Sequence, residues 1–348
     1  MTRAGGLGRR WAPLGVLLLV VATDVPAGAQ EQSEDFYRNQ TIRIMVNATG
    51  GGFDVSARAL ARHLGWHFPG NPAAVVETMS GAGGLVAANY LYRVAKPDGL
   101  TLAHFSGDLL LGEVLGRPGI EFDARRFEYI GTGSNEHIAC AFSRASGITS
   151  LDRWMSARTP VKLGGTAQGS NSDNATRILK AVLGLPIQLV SGYKGTAAIR
   201  LAVESGELAG ACFNWGSMRT GWQHAIEAGE VVVVLQLAAR PLADLPAVPL
   251  VTELAKTDDA KRLVATTILR ASGLARPYAV PPGTPKDRVQ ILRRAFLATL
   301  RDPEYLAEAG KAKIEVHATR GEDVERLVAD LFTLDPPTVT RLRAILFD

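Results

Sequence analysis

The stretch Val46-Asn47-Ala48-Thr49-Gly50-Gly51-Gly52-Phe53-Asp54 joins an apolar run, Ile42 to Val46, to an amphipathic run that begins at Asp54. Apolar β-formers followed by glycines and a helix-period pattern read as strand, tight turn and helix. Glycines at such a junction keep side chains out of the way, so peptide N–H groups face whatever lies beyond the strand end. The positive end of the following helix points into the same space, which makes an anion-binding device out of main chain. Asp54 is placed as the N-cap, its carboxylate accepting from amides two and three residues on. An ordinary strand-to-helix turn has the same appearance, so the reading gains force only from repetition.

The plan does repeat. Thr41 to Val46 and Asp54 to Leu64 give the first strand and helix, with Ala57, Leu60, Ala61 and Leu64 at helical spacing. Val75-Val76 centres a second strand and leads into Ser80-Gly81-Ala82-Gly83-Gly84 and a helix over about 85–94. Leu100 to Phe105 forms a third strand with Ser106 at its end. The segment Tyr129 to Phe142 is apolar with a break at 131–136, after which the cycle restarts. Val161 to Leu163 leads into Gly164-Gly165-Thr166-Ala167-Gln168-Gly169-Ser170 and a helix from about Asp173 to Leu183. Ile187 to Val190 leads into Ser191-Gly192-Tyr193-Lys194-Gly195 and another helix. Ala209 to Phe213 and Val231 to Leu237 complete a second sheet, and residues 265–280 return the chain to the first. Strand–glycine loop–helix cycles are the mark of mostly parallel sheets flanked by helices. Ligands there bind beyond the carboxyl ends of the strands. The expected architecture is therefore α/β with two lobes and a cleft between them: residues 30–138 and 267–348 in lobe 1, residues 139–266 in lobe 2.

With 348 residues, 47% of them hydrophobic, the chain has material for two cores. Residues 1–29 read as a secretory signal peptide: Arg3, Arg9 and Arg10, a short apolar stretch from Leu14 to Ala22, then Ala27-Gly28-Ala29 as the cleavage site. No cysteine stands at that point, which argues against a lipid anchor. Arg9-Arg10 alone does not establish twin-arginine export. Cleavage removes three arginines and one aspartate, so the formal charge falls from +4 to +2. No Lys/Arg-rich run with interleaved aromatics offers itself to nucleic acid, and no later run reaches transmembrane length. Cys140 and Cys212 lie in an exported chain where a disulfide is permitted, but spacing does not report proximity.

Enzymatic readings find little support. Gly164 to Ser170 has Ser170 where a phosphate loop needs lysine, and Val86 interrupts the dinucleotide fingerprint after Gly81 and Gly83. There is no G-x-S-x-G elbow. His63 and His67 are four apart on a helix, but Leu64 replaces the glutamate of a zinc protease, and two such histidines make a helix surface more readily than a metal site. The binding reading fits better. The loops at 49–54, 80–84, 105–107 and 164–171 supply neutral donors that hold a carboxylate without a buried cation. Tyr193 and Trp215 either wall the cleft or pack in the core. Asn214 adds an amide, and Asp54 caps its helix with some water-mediated ligand contact.

These residues resemble the periplasmic solute-binding proteins of tripartite tricarboxylate transporters, also called TctC or Bug receptors. The family's P-x-x-P-G-G-x-x-D-x-x-A-R loop is similar to Val46 to Arg58, and its G-A-G-G to Gly81 to Gly84. P-D-G-x-T-L stands at Pro97 to Leu102, G-x-x-G-S is similar to Gly165 to Ser170, V-P-Y-x-G to Val190 to Gly195, and P-x-G-T-P to 281–285. The resemblance covers the whole mature chain. It implies a type II periplasmic binding-protein fold that closes on a small organic acid, with a membrane permease as partner, no cofactor, no metal and no catalysis, in a periplasmic monomer. Carried onto matched positions, the ligand set is Thr49, Gly51, Gly52, Phe53 and Asp54, with Ser80, Gly81, Ala82 and Gly83, from lobe 1. Thr166, Gly169, Ser170 and Tyr193 come from lobe 2; Ser106 and Asn214 join them from the loop reading. Val46, Thr49 and Ser80 replace the family's prolines, and Phe53 stands where a small residue is common, so Phe53 either narrows the cleft or stacks on a ring. The identity of the acid stays open. A sensor feeding a membrane kinase and an exported α/β hydrolase are the rival readings.

Overall fold

The computed structural model describes Met1 and residues 35–347, apart from 48, 50, 136 and 270–272. The signal-peptide reading falls outside the described residues. In chain order the first lobe has β1 (Thr41–Val46), α1 (Gly52–Leu64), β2 (Ala73–Thr78), α2 (Leu85–Arg93), β3 (Thr101–His104), α3 (Asp108–Val114) and β4 (Glu128–Thr132). The second contains β5 (Ile138–Ser143), α4 (Leu151–Met155), β6 (Val161–Gly164), α5 (Asn171–Leu183), β7 (Ile187–Val190), α6 (Thr196–Glu204), β8 (Gly210–Asn214), α7 (Trp215–Glu227), β9 (Val231–Leu237), α8 (Val251–Leu254) and α9 (Asp258–Val264). Then come β10 (Pro277–Val280), α10 (Lys286–Thr299), α11 (Pro303–Lys311), β11 (Thr319–Arg320), α12 (Gly321–Leu331) and α13 (Pro336–Leu346).

The strands form two sheets, ordered β11-β4-β10-β3-β1-β2 and β7-β6-β8-β5-β9. β1 lies parallel between β2 and β3, and Ile42, Ile44, Met45 and Val46 are fully buried, as befits a strand covered on both faces. Each sheet takes an antiparallel strand at the same place in its order, and the first has a second one, the short edge strand β11, which runs against β4. β10 runs against β3 and β4, and β5 runs against β8 and β9. The chain leaves the first sheet after β4 and enters the second as β5, then leaves after β9 and returns as β10. Two crossings therefore join the lobes. The expectation of two mostly parallel, helix-flanked sheets holds.

Two features depart from the sequence reading. α1 begins at Gly52 with Gly51 in the N-cap position (φ −110°, ψ −177°), two residues ahead of the expected start. The C-terminal helix α13 rests on α5 of the second lobe, where Gln168 Nε2 donates to the Phe347 carbonyl at 2.7 Å. No described helix is long and apolar enough to cross a membrane.

Cys140 and Cys212 face each other across the antiparallel β5–β8 pair, 4.0 Å apart at Cα, and form a disulfide buried in the second lobe. It closes a sequence separation of 72 residues. In the chain-entropy account a loop of that size is worth about 4 kcal/mol. The pair Cys140→Ala and Cys212→Ala is expected to lower the unfolding free energy by about that amount in urea titration, with the same native circular dichroism.

Candidate functional site

Three helices begin at one place between the lobes. Gly51, at the N-cap of α1, has the Thr196 hydroxyl of α6 3.8 Å from where its Cβ would be. A Cβ on Gly52 would lie 2.4 Å from Ser217 Oγ of α7 and 2.8 Å from Arg276 Nη1. These atoms are side-chain ends, so a Cβ at this position displaces the Ser217 hydroxyl or the Arg276 guanidinium from where they now lie. Asn214 caps α7, its side-chain oxygen accepting from the Ser217 N–H at 2.9 Å. Around these starts lies a cavity of about 250 Å³ lined by Gly51, Gly52, Thr196, Ala197, Arg200, Phe213, Ser217, Thr220, Gly221 and Trp222. Asn214 faces a smaller hollow alongside, with Ser134, Asn135 and Arg276.

Beneath Gly52 the guanidinium of Arg276 is buried. Its Nη2 donates to Ser217 Oγ at 3.1 Å, and its plane lies 4.4 Å from the centre of the Phe53 ring. Burial brings its pKa down to about 10, so it stays charged at neutral pH. Phe53 in turn leans on His104 (5.0 Å), which stacks flat on Tyr278 at 4.0 Å and 10°. Desolvation, reinforced by Arg276, lowers His104 to about 3, so the ring is neutral. The site thus holds a cation, which the reading of neutral donors alone did not include. Phe53 spends its ring face on that cation.

Asp54 is not the cap of α1. It lies in the first turn, buried, and accepts from Arg58 Nε at 2.8 Å. A carboxylate there still favours the helix dipole. The other expected loops meet along a second line of lobe contact. A Cβ on Gly83 would stand 3.7 Å from Ala167 Cβ. Arg117 Nη2 donates to the Ala82 carbonyl (3.0 Å) while its guanidinium fills the space beside Gly169, whose φ is +79°. Asn174 Nδ2 donates to Asp108 Oδ1 across the lobes at 3.3 Å, and Ser106 Oγ donates to the same carboxylate at 2.8 Å. Burial raises the pKa of Asp108. Ser170 caps α5 and donates to Asp173, which also accepts from Ser191; the Thr166 N–H donates to Ser172 Oγ. Thr49 donates to Thr78 Oγ1, and Ser80 and Gly81 are exposed. Tyr193 donates to Glu207 and does not line the cavity. Trp215 is buried, with Nε1 directed at Asp244.

The sequence reading missed Thr196, Arg200, Ser217, Thr220 and Arg276. Gly195-Thr196 before an apolar helical run, and Asn214 three residues ahead of Ser217, were available cap signals. Arg276 had none, because its partners are 59 residues away at Ser217 and farther still at Phe53.

Two outcomes follow from this packing. Gly52→Ala keeps helical backbone geometry but forces Ser217 or Arg276 aside. It is expected to hold the lobes apart, seen as a larger radius of gyration in small-angle scattering with an unchanged far-ultraviolet spectrum. His104 binds its proton in the unfolded chain near pH 6.5 but not in the fold until about pH 3, so its contribution to stability is lost as pH falls between those values. Asp108 and Asp173, raised by burial, act in the opposite sense, so the difference between proteins is the readout. The stability gap between wild type and His104→Gln should change by up to about 1.4 kcal/mol per pH unit from pH 6 to 4; parallel curves would contradict the assignment.

Residues 57–341 match the tripartite tricarboxylate transporter family receptor. Among solved structures, the periplasmic binding protein BugD is similar with a TM-score of 0.71 at 20% identity, over 89% of this chain and 98% of that one. Rpa4515 of R. palustris, solved with adipate, gives 0.70 at 20% identity over 88% and 97%. MatC of Rhodopseudomonas palustris, with bound malate, gives 0.68 at 19% over 88% and 99%. At these identities the likeness is one of fold. No curated protein matches the sequence. With residues 57–341 of its 348 matched by the family model and the fold shared with BugD, the chain belongs to the tripartite tricarboxylate transporter receptor family of periplasmic solute-binding proteins.

Proposed function

We propose that the protein captures a small carboxylate in the cleft between its lobes and delivers it to the membrane permease of a tripartite tricarboxylate-type transporter. The observation that carries this reading is the convergence of the α1, α6 and α7 starts on one cavity, with the Arg276 guanidinium behind Gly52 and Ser217. Helix starts offer unsatisfied N–H groups and a positive potential, each worth roughly 0.3–1 kcal/mol to an anion. Hydrogen bonds to a charged partner add about 1.5–3 kcal/mol apiece. Together these are what holds an acid in the cleft. Relatives of the same fold are solved with malate and with adipate.

The hydrolase rival finds its nearest candidate pair in Ser56 and His104, with Oγ 3.4 Å from Nε2. Ser56 already donates to the Gly52 carbonyl at 2.7 Å, and a histidine with a pKa near 3 is a poor general base at neutral pH.

A thermal-shift panel of mono-, di- and tricarboxylates is expected to find at least one acid that raises Tm, by an amount equivalent to about 2.7 kcal/mol at a hundredfold excess over Kd. Thr196→Val removes one hydroxyl at nearly constant shape and should weaken that acid roughly tenfold or more, leaving the Tm of the free protein in place. Silence across the whole panel would refute the reading. Uptake into permease-containing vesicles that requires the added receptor would support the delivery step.

A further inference from the structure

A third link joins the lobes besides the two strand crossings. α12 packs on β4 and α3 of the first lobe, and Arg125 of that lobe lies over the Phe332 ring at 4.5 Å. From there the backbone turns without slack. The N–H groups of Phe332, Thr333 and Leu334 donate to the carbonyls of Ala329, Asp330 and Leu331, and Asp335 caps α13 by accepting from the Thr338 N–H at 2.9 Å. Pro336 and Pro337 restrict the backbone further. α13 then runs across to the second lobe. Its Leu342 and Leu346 are buried in one apolar cluster with Leu109 and Leu110 of the first lobe and Ile178 and Leu179 of α5.

The last carbonyls of a helix have no partners within it. Here side chains of the second lobe supply them. Arg177 Nη1 donates to the Ile345 carbonyl at 3.4 Å, and Gln168 Nε2 donates to that of Phe347 at 2.7 Å. Gln168 belongs to the 164–170 loop and precedes Gly169, beside which Arg117 of the first lobe fills the space. The Arg343 guanidinium of α13 lies next to Gly116, with Nη1 3.2 Å from where a Cβ would be. Residues 116–117, 168–169 and 343–347 therefore meet at one edge of the lobe contact. We propose that α13 is a strap across that edge, which holds the lobes together before ligand enters and so sets the opening of the free receptor. Separation there has to break the two bonds to the α13 carbonyls or pull Arg343 off Gly116, since the turn at 332–335 gives no slack.

Gln168→Ala combined with Arg177→Met removes both donors and leaves the buried leucines of α13 in place. Small-angle scattering of the ligand-free double variant should give a radius of gyration about 1 Å above a wild-type value of roughly 20 Å, with an unchanged far-ultraviolet spectrum. The second readout rests on the carboxylate-receptor reading above. Malate, adipate and citrate are titrated in turn, and the acid that binds wild type should return the variant to the wild-type radius. It should also bind the variant about threefold more weakly or worse, because the closed form is less populated. A ligand-free variant with the wild-type radius overturns the strap, whatever its melting temperature. So does a larger radius that a bound acid fails to reverse. Should the double variant not fold, Gln168→Ala alone is measured against the same outcomes. If none of the three acids binds, that counts against the receptor reading, and the ligand-free scattering comparison decides the strap by itself.

Discussion

At Gly52 the backbone of one lobe touches the side chains of the other. A single methyl group there would overlap the Ser217 hydroxyl and the Arg276 guanidinium, and their present placement depends on its absence. Because α1 can start flush against α7, its first amides, the hydroxyl of Ser217 and the guanidinium of Arg276 share one small volume. The Gly51–Thr196 approach brings in α6. A bulkier residue would leave three separate helix ends facing water, where each attracts an anion only weakly. Brought together in one cleft, the same groups face a single cavity.

Burying the charge of Arg276 is costly, and the surroundings offset that cost in identifiable ways. Phe53 presents its ring face, an interaction worth about 2 kcal/mol when water is excluded. Ser217 accepts one N–H. His104 is held neutral behind Phe53, so no second positive charge opposes the first. Tyr278 stacks under His104 and fixes the ring, continuing the support into β10. Loss of any layer therefore reaches the guanidinium through packing, even where no atom touches it.

Much of the architecture was legible in the sequence. Ile42 to Val46, the glycines at 50–52 and the spacing of Ala57, Leu60 and Leu64 state a strand, a turn and a helix in local terms, and the same grammar recurs through Val190. The site was legible only in part. An aspartate near a helix start serves equally as cap or as first-turn charge, and Asp54 proved to be the second because Gly51 already had the extended backbone a cap requires. Gly164 to Ser170 reads as a ligand loop, yet Ser170 is committed to α5 and to Asp173, and Gly169 makes room for Arg117. Glycine tells where backbone comes close to something; it does not tell whether that is a ligand or the opposite lobe. Arg276 lies beyond any local pattern, since its meaning comes from residues that only the tertiary fold brings near.

The strand order adds a last consequence. β5 and β10 occupy equivalent places in their sheets, and each is the first strand after a crossing between lobes. Arg276 directly precedes β10, and Cys140 within β5 is tied to β8, whose end carries Asn214 and the start of α7. The return crossing therefore carries the charge, and the disulfide anchors the strand that presents Ser217 to it. Separation of the lobes has to draw Arg276 from Ser217, because one moves with β10 and the other with β8. Charge placement and lobe closure are for that reason a single geometric variable in this fold, set by where the chain re-enters its first sheet.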